Sequence, residues 1–333
     1  MDSTSKLSLV CPVRNEEASI GPFLARLVPV MEGILSVDYE VVFVNDGSTD
    51  RTLERLLQAQ DRNPAIRVVD LSRSFGKEAA LTAGIDASRG DAVIPIDVDL
   101  QDPPEIIPEM VARWKEGYEV VVARRTDRST DTWAKRVTAR MFYRLHNRIA
   151  EESIPEDVGD FRLLARPVVR ALQSLPERRR FMKGLFAWVG FRTVAVEYIR
   201  EPRQIGKSKF NGWQLWNLAL EAMTSFSTVP LRIWTYLGLI ISAASLSYAA
   251  FILLRTLIHG VDVPGYASLL VSVLFLGGVQ LIGMGALGEY VGRIYQEAKQ
   301  RPVYIVRATH EYGERLVAAS SSQRYEQAVQ TVR

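Results

Sequence analysis

The chain is poor in several residue types and patterns that define common functional sites. It has one cysteine, Cys11, among 333 residues, which excludes an internal disulfide and a cysteine-rich zinc site. Because Cys11 stands in an apolar run, we expect an inert buried thiol rather than a nucleophile. The 41 basic and 38 acidic residues nearly balance, and this composition does not favour a nucleic-acid partner.

The sequence also lacks the glycine-rich loops of common nucleotide-binding proteins. Neither a dinucleotide fingerprint nor a Walker-type phosphate loop is present. Residues 7–125 instead show apolar runs that alternate with helix-like segments, which is typical of an α/β domain with parallel strands and crossover helices. The predicted strands are 7–10, 40–44, 66–71, 92–96 and 119–123, and the predicted helices lie near 16–31, 50–59, 77–87 and 103–116.

An acidic motif follows the fourth apolar run directly. If the strand continues, Asp97, Asp99 and Gln101 share one of its faces, because side chains alternate along a strand. Three oxygen-bearing side chains on one face suit a hard cation such as Mg²⁺ or Mn²⁺. The alternative is an acidic loop that caps the next helix, and Asp102 before two prolines fits that role. For Asp97 and Asp99 we favour metal binding.

Two long uncharged runs stand in the C-terminal third of the chain. Residues 233–254 and 263–288 contain 22 and 26 residues without a charge, and a helix of about 20 apolar residues can span a bilayer core. They predict a transmembrane hairpin at about 233–256 and 265–289, and the alternative is a pair of helices buried in a soluble core. Basic residues flank the pair, so the positive-inside rule predicts a multi-pass membrane protein with its large N-terminal domain and both termini in the cytoplasm.

These patterns predict four parts along the chain. A cytoplasmic domain occupies 1–210, and an amphipathic juxtamembrane helix follows at 211–230. The transmembrane hairpin occupies 231–292, and a cytoplasmic C-terminal tail completes the chain at 293–333.

Three motifs stand at predicted strand ends. They are Pro12-Val13-Arg14-Asn15-Glu16-Glu17, Val44-Asn45-Asp46-Gly47-Ser48-Thr49-Asp50 and Asp97-Val98-Asp99-Leu100-Gln101-Asp102-Pro103-Pro104-Glu105. Further segments of the same kind are Arg73-Ser74-Phe75-Gly76-Lys77, Gly159-Asp160-Phe161-Arg162-Leu163, Gly206-Lys207-Ser208-Lys209 and Gly288-Glu289-Tyr290-Val291-Gly292-Arg293. Together these motifs resemble glycosyltransferase family 2, in particular its polyprenyl-phosphate glycosyltransferase branch, which includes dolichol-phosphate mannose synthase and bactoprenol glucosyltransferases. The resemblance implies that the domain at 1–210 is a GT-A-type (Rossmann-like) catalytic domain with a mostly parallel sheet.

The resemblance assigns roles to individual residues on the donor side. The residues implied to bind the nucleotide sugar are Pro12, Arg14, Glu16, Asp46, Lys77 and Asp97. Those implied to hold Mg²⁺ or Mn²⁺ at the diphosphate are Asp97, Asp99 and Gln101. Such a cation would stabilise the charge that develops as the nucleoside diphosphate leaves.

On the acceptor side the resemblance implies a polyprenyl phosphate in the lipid bilayer. It implies that Asp160 acts as a general base or as a positioning group, and Asp157 is the alternative residue for this role. We favour Asp160, in a positioning role. The residues expected to bind phosphate are Arg203, Lys207, Ser208 and Lys209. Lysine and serine supply donors suited to phosphate, although a general attraction to anionic lipid is the alternative.

The resulting hypothesis is a metal-dependent, inverting transfer of a sugar from a nucleotide diphosphate sugar to polyprenyl (undecaprenyl) phosphate. UDP-glucose is the favoured donor, and GDP-mannose or another UDP-sugar is the alternative. The family also implies a homo-oligomer, with a tetramer as the expected form.

Two other functions compete with this hypothesis. A processive polysaccharide synthase typically has a Gln-x-x-Arg-Trp motif, but here Met110 precedes the sole Arg113-Trp114 pair. A non-catalytic lipid-binding scaffold is disfavoured by the intact carboxylates of Asp97, Asp99 and Asp160.

Overall fold

A computed structural model describes residues 5–126, 158–199 without 179 and 181, and 265–312, together with scattered positions between 234 and 258. The chain divides into two compact units. The first contains the described residues of 1–143, 154–211 and 302–333, and the second those of 144–153 and 212–301. Each unit is described by itself.

In the described part of the first unit, eight strands form one mixed sheet in the order β7-β5-β6-β4-β1-β2-β3-β8. The strands are β1 (Ser5–Val13), β2 (Val37–Asn45), β3 (Ile66–Leu71), β4 (Ala92–Pro95), β5 (Val120–Arg125), β6 (Val158–Ala165), β7 (Thr193–Tyr198) and β8 (Val306–His310). The sheet is parallel across β4-β1-β2-β3 and between β5 and β7. Strand β6 runs antiparallel to β4 and β5, and β8 runs antiparallel to β3.

Helices connect the parallel strands and cover both faces of the sheet. The helices in the described part of this unit are α1 (Ile20–Glu32), α2 (Thr52–Arg62), α3 (Lys77–Ala87), α4 (Ile107–Lys115), α5 (Arg166–Ser174) and α6 (Met182–Trp188). Helix α1 forms because its buried residues, which include Phe23 and Leu27, recur at helical spacing and pack against the sheet. The predicted α/β class is therefore confirmed, and the sheet is mixed, with four parallel and three antiparallel strand pairs among the described residues.

Helix α3 packs closely against the central strands. A Cβ atom at Gly84 would lie 2.2 Å from Cγ1 of Val10 on β1 and 3.0 Å from Cγ2 of Val44 on β2. Cys11 on β1 is fully buried in the hydrophobic core, and burial raises the pKa of its thiol well above the ordinary value. The expectation of a buried cysteine is confirmed. Packing at this point fixes the first residue of α3, Lys77, relative to the strand ends.

In the second unit, helix α7 (Tyr266–Ala298) contains 33 residues. Many of its apolar side chains are exposed, among them Leu269, Phe275, Leu281 and Met284. Over the residues that the structure describes, no helix has both the length and the apolar character required of a membrane span. The predicted hairpin is thus not supported by this structure. Most of its first segment, the predicted helix at 211–230 and the chain after residue 312 lie outside the described residues.

Candidate active site at the strand ends

The loops that follow β1 and β2 are joined to each other by hydrogen bonds. The Asn15 amide donates to Ser48 Oγ at 3.0 Å, and the Thr49 amide donates back to Asn15 Oδ1 at 2.8 Å. The Glu16 amide donates to Thr52 Oγ1 at 2.9 Å. Asn15 has a φ of 53°, a left-handed conformation that asparagine tolerates better than most residues. The two loops therefore form one connected rim at the carboxyl edge of the sheet.

Asp46 binds the loop that precedes α3 and connects it to this rim. Its buried carboxylate accepts hydrogen bonds from Ser74 Oγ at 2.9 Å and from the amides of Phe75 and Gly76 at 2.6 and 3.1 Å. The resemblance implies a nucleotide contact for Asp46, whereas in this structure both of its oxygens bind the loop that precedes α3. Gly47 makes the close approach possible, because it has a φ of +59° and a Cβ atom there would lie 2.5 Å from the Ser74 nitrogen.

Lys77, Asp97 and Asp160 meet at the carboxyl edge and form what we call the lysine–carboxylate cluster. Lys77 Nζ lies 2.7 Å from Asp97 Oδ2 and 3.1 Å from Asp160 Oδ2. Lys77 begins α3, Asp97 follows the end of β4, and Asp160 belongs to β6. Because β6 pairs with β4, it brings Asp160 beside a residue that is distant in the sequence. The structure therefore brings Asp160, which the resemblance assigns to the acceptor side, into contact with Lys77, which it assigns together with Asp97 to the donor side.

The electrostatics of the cluster differ between its two carboxylates. Desolvation raises the pKa of Asp97; Lys77 opposes this effect, and the Asp160 carboxylate adds to it. Desolvation would also raise the pKa of Asp160, but the charges of Lys77 and Lys183 outweigh it and lower that pKa to about 2. For Lys77, desolvation acts to lower the pKa, and the two carboxylates together raise it above its ordinary value. At neutral pH Asp160 is therefore an anion with little basicity.

The acidic motif is a turn and not an extension of β4. The strand ends at Pro95, and Leu100 adopts a left-handed φ of 58°. The prediction that Asp97, Asp99 and Gln101 share a strand face is therefore wrong, because strand alternation stops before they are reached. Asp99 is buried, and its Oδ1 accepts a hydrogen bond from the Gln101 amide at 3.1 Å.

The alternative role of Asp102 as a helix cap is also not found. No side-chain cap hydrogen bond is formed at the short 3-10 turn Pro104–Ile106 that precedes α4. The buried Asp102 carboxylate instead accepts a hydrogen bond from the hydroxyl of Tyr198 on β7. Arg125 Nε donates to that same hydroxyl at 3.2 Å. Asp102 thus connects the acidic turn to the far edge of the sheet.

The carboxylates of the cluster match the donor chemistry of a divalent cation. Among the described residues, no group of three or more potential ligand side chains gathers at one point. Mg²⁺ in phosphate-handling sites, however, commonly uses one or two carboxylates together with substrate phosphates. Asp160 Oδ1 is buried without a hydrogen-bond partner, and crowding by Asp99 and Asp160 contributes to the raised pKa of Asp97. A cation would relieve that crowding, so the residues fit such a metal.

Two polar residues of the site were missed by the sequence analysis. Glu78 accepts a hydrogen bond from the Met182 amide at 3.1 Å, and desolvation, reinforced by the Asp160 carboxylate, raises its pKa to about 7. Arg162 donates to the Gly159 carbonyl at 2.6 Å, and its guanidinium lies 4.2 Å from the ring centroid of Phe186. Glu78 directly follows Lys77, but only the tertiary contact with α6 gives it this environment.

The other predicted residues lie at the rim or outside the described chain. Pro12 is in β1, and Arg14 is exposed just after it. Glu16 Oε2 accepts a hydrogen bond from Ser19 Oγ at 2.8 Å. The predicted residues that lie outside the described part of the chain are Asp157, Arg203, Lys207, Ser208 and Lys209.

Comparison with known proteins gives a consistent set of similarities. The family model described as Glycosyl transferase family 2 matches residues 8–173. The SfII prophage-derived bactoprenol glucosyl transferase of Shigella flexneri is 54% identical over 305 residues, which cover 92% of this chain and 98% of that protein. A prophage bactoprenol glucosyl transferase homolog of Escherichia coli is 53% identical over 302 residues, 91% of this chain and 98% of that protein. An uncharacterized glycosyltransferase of Synechocystis sp. is 56% identical over 303 residues, 91% of this chain and 95% of that protein.

Proposed function

The chain belongs to glycosyltransferase family 2, and from this premise we propose that it transfers a sugar from a nucleotide diphosphate sugar to polyprenyl phosphate. The names of the bactoprenol glucosyl transferases, which are more than half identical to it over nine-tenths of the chain, support this acceptor. The same names favour glucose as the sugar and UDP-glucose as the donor. GDP-mannose and other UDP-sugars are the alternative donors.

The lysine–carboxylate cluster is the observation that carries the proposal. It lies at the carboxyl edge of the parallel strands, where α/β sheets bind their ligands. In the proposed reaction a phosphate oxygen of the acceptor attacks the anomeric carbon of the sugar. The bond from that carbon to the diphosphate breaks, and the nucleoside diphosphate departs with the electron pair. A single displacement inverts the configuration at the anomeric carbon.

The charge state of Asp160 favours a positioning role over proton abstraction. The acceptor phosphate has its second pKa near 6, so it is already largely an anion at neutral pH. Such a nucleophile needs little help from a base, and a carboxylate with a pKa of about 2 offers little. In the proposed mechanism Asp160 holds Lys77 in place, and Lys77 keeps a positive charge beside the reacting groups. Orientation and electrostatic stabilisation thus supply the catalysis.

Asp97 and Asp99 would hold Mg²⁺ or Mn²⁺ together with the donor diphosphate, with Gln101 as the proposed third ligand. When bound, the cation supplies positive charge to the departing diphosphate. The support is the crowding of carboxylates around Asp97 and the unpartnered Asp160 oxygen.

We place the reaction at the cytoplasmic face of the inner membrane, with both chain termini in the cytoplasm. The support is the pair of uncharged runs of 22 and 26 residues and the exposed apolar side chains of α7, such as Leu281 and Met284. Arg203, Lys207, Ser208 and Lys209 are proposed to bind the acceptor phosphate. The basic composition of 166–209, eleven Lys or Arg against three Glu, supports that assignment. The proposed assembly is a homo-oligomer.

The proposal is tested by transfer assays on the purified full-length protein in detergent. Undecaprenyl phosphate and Mg²⁺ are supplied with a panel of radiolabelled nucleotide sugars, and the lipid-linked product is extracted. We expect product from UDP-glucose, loss of product with a chelator, and loss in Asp97→Asn. Asp38→Asn is the matched control, because Asp38 is an exposed residue near the start of β2. Absence of lipid-linked product from every donor, in a protein that still binds the nucleotide, would contradict the proposal and favour a non-catalytic scaffold.

A further inference from the structure

Strand β8 brings a C-terminal segment to the edge of the sheet beside the active-site loop. It pairs antiparallel with β3, with Asp70 opposite Ala308 and Leu71 opposite Val306. The pairing continues past the end of β3, where the Ser72 amide donates to the Ile305 carbonyl at 2.9 Å. The chain from Ser72 leads directly into the loop that ends at Lys77. Residues more than two hundred positions downstream therefore contact the beginning of that loop.

Arg307 makes the side-chain contacts at this junction. Its Nη2 donates to the Ser72 carbonyl at 2.8 Å and to the Leu71 carbonyl at 3.4 Å. Its Nη1 lies 3.5 Å from Oδ2 of Asp70, a buried carboxylate. The ladder between β3 and β8 is irregular between Asp70 and Leu71. One guanidinium therefore binds the backbone at the point where β3 becomes the loop.

Two paths lead from Arg307 to the candidate active site, one along the chain from Ser72 and one across the sheet through the ion pair with Asp70. Along the chain, the loop after Ser72 supplies the Ser74, Phe75 and Gly76 donors to Asp46 and then begins α3 at Lys77. Across the sheet, Asp70 Oδ1 accepts a hydrogen bond from Asn45 Nδ2 at 2.8 Å. Asn45 Oδ1 in turn accepts one from the Ser48 amide at 3.3 Å. Both paths end in loops that form the rim of the site.

We propose that Arg307 is a positioning residue that fixes the loop of residues 72–76 and thereby the placement of Lys77. Arg307 acts through the backbone of Leu71 and Ser72, and Lys77 itself touches the two carboxylates. Loss of its guanidinium leaves these carbonyls without the side-chain donor that holds them, so the loop gains freedom. The catalytic consequence rests on the proposed function, whereas the effect on the loop does not.

The same strand provides a matched control at its other end. Glu311 Oε1 lies 3.0 Å from Arg67 Nη2 and 2.6 Å from Arg89 Nη2. Arg67 also binds the Ala87 carbonyl, at the end of α3 opposite to Lys77. Glu311→Gln therefore weakens the attachment of β8 without touching the loop of residues 72–76.

Hydrogen–deuterium exchange on the full-length protein tests the proposal without any transfer reaction. The variants are Arg307→Gln, Arg307→Lys and Glu311→Gln, each with its thermal unfolding temperature measured. We expect the Phe75 and Gly76 amides to exchange about tenfold faster in Arg307→Gln, with partial rescue in Arg307→Lys and wild-type rates in Glu311→Gln. The proposal would be overturned if the Phe75 and Gly76 amides of Arg307→Gln exchanged at the wild-type rate. It would also be overturned if these amides exchanged as fast in Glu311→Gln as in Arg307→Gln.

Kinetics provide a second readout that a merely structural role would not produce. With transfer activity established, we expect kcat of Arg307→Gln to fall about fivefold with little change in the KM for the donor, because an ordered Lys77 acts on the transition state. Arg307→Lys should recover part of that loss. If kcat of Glu311→Gln fell as much as kcat of Arg307→Gln, and both followed the loss of thermal stability, β8 would contribute only to folding. Failure of wild-type transfer would instead count against the proposed function and leave the exchange result standing.

Discussion

Lys77 Nζ lies 2.7 Å from Oδ2 of Asp97, so the first residue of α3 and the first acidic residue after β4 form an ion pair at the carboxyl edge of the sheet. The same ammonium reaches Asp160 on β6 at 3.1 Å. One cation thus separates two carboxylates that would otherwise repel each other. This arrangement keeps positive charge at the place where a diphosphate is proposed to leave.

Lys77→Met should cause a large loss of activity. Without the ammonium, Asp97 and Asp160 face each other uncompensated, and the developing negative charge has one cation fewer. Removal of a single preorganised stabilising group typically lowers kcat about 10²- to 10³-fold. Steady-state transfer kinetics measure this effect, and Lys77→Arg, which keeps the charge, should retain more activity than Lys77→Met. A kcat of Lys77→Met within a factor of two of wild type would contradict the role of this residue.

Asp160→Asn should lower kcat without changing the shape of the pH profile between pH 5 and 9. The pKa of Asp160 is about 2, so its carboxylate is ionised throughout this range and cannot produce an acid limb there. We expect a loss of about tenfold or more, because the amide no longer balances Lys77 by charge. The measurement is kcat against pH for both proteins. Disappearance of a wild-type acid limb in Asp160→Asn would show that Asp160 is the titrating base.

Glu78→Gln should change how stability depends on pH. The pKa of Glu78 in the folded protein is about 7, against an ordinary value of 4.5. Between these values the folded protein keeps a proton that the unfolded chain has lost, so the free energy of unfolding falls as pH rises through this window. Glu78→Gln removes this decrease in the free energy of unfolding and should be more stable than wild type above pH 7, by about 3 kcal/mol.

Thermal unfolding from pH 4 to pH 8 measures this difference. Below pH 4.5 the carboxyl is protonated in both states, so wild type and Glu78→Gln should differ little there. If the unfolding temperatures of wild type and Glu78→Gln changed in parallel over the whole pH range, the pKa of Glu78 in the folded protein would be its ordinary value. Transfer activity is measured alongside, because Glu78 adjoins Lys77 in the chain.

Gly47→Ala should displace the loop that Asp46 holds. A Cβ atom at Gly47 would meet the Ser74 nitrogen at 2.5 Å, and the backbone there is left-handed. We expect the variant to lose about 1–3 kcal/mol of stability and to bind the donor nucleotide more weakly. Gly117→Ala is the control, because Gly117 is also left-handed but has open space around its Cβ position. Calorimetric titration measures the nucleotide affinity of both variants. We expect weaker binding only in Gly47→Ala, and equal affinities in both variants would contradict a role of this loop in donor binding.

The part of the fold that depends on local pattern could be predicted from the sequence. Apolar runs placed the first five strands, and the predicted helix 77–87 coincides with α3. Strand β6 could not be found in this way, because Asp160 and Arg162 interrupt its apolar pattern. Strand β8 is five residues long, and most of the sequence separates it from its partner β3. No local signal reports such a distant pairing.

The candidate site was predicted in composition but not in arrangement. Asp97 and Asp160 were identified, yet their meeting at Lys77 depends on β6 lying beside β4. Asp97 and Asp99 do not share a strand face, because β4 ends at Pro95 and the chain then turns, with Leu100 in a left-handed conformation. The hydrogen bonds of Asp46 to three groups of a neighbouring loop were not predicted, and its contact with a nucleotide stays a prediction. Tertiary contacts decide each of these outcomes.

The central claim is that the lysine–carboxylate cluster catalyses sugar transfer to polyprenyl phosphate. The most direct measurement is the lipid-linked glucose formed from UDP-glucose and undecaprenyl phosphate by wild type and by Asp97→Asn at equal concentrations of folded protein. We expect steady product formation by wild type and a loss of at least about a hundredfold in Asp97→Asn. Equal product from both proteins would contradict the assignment of the active site to this cluster.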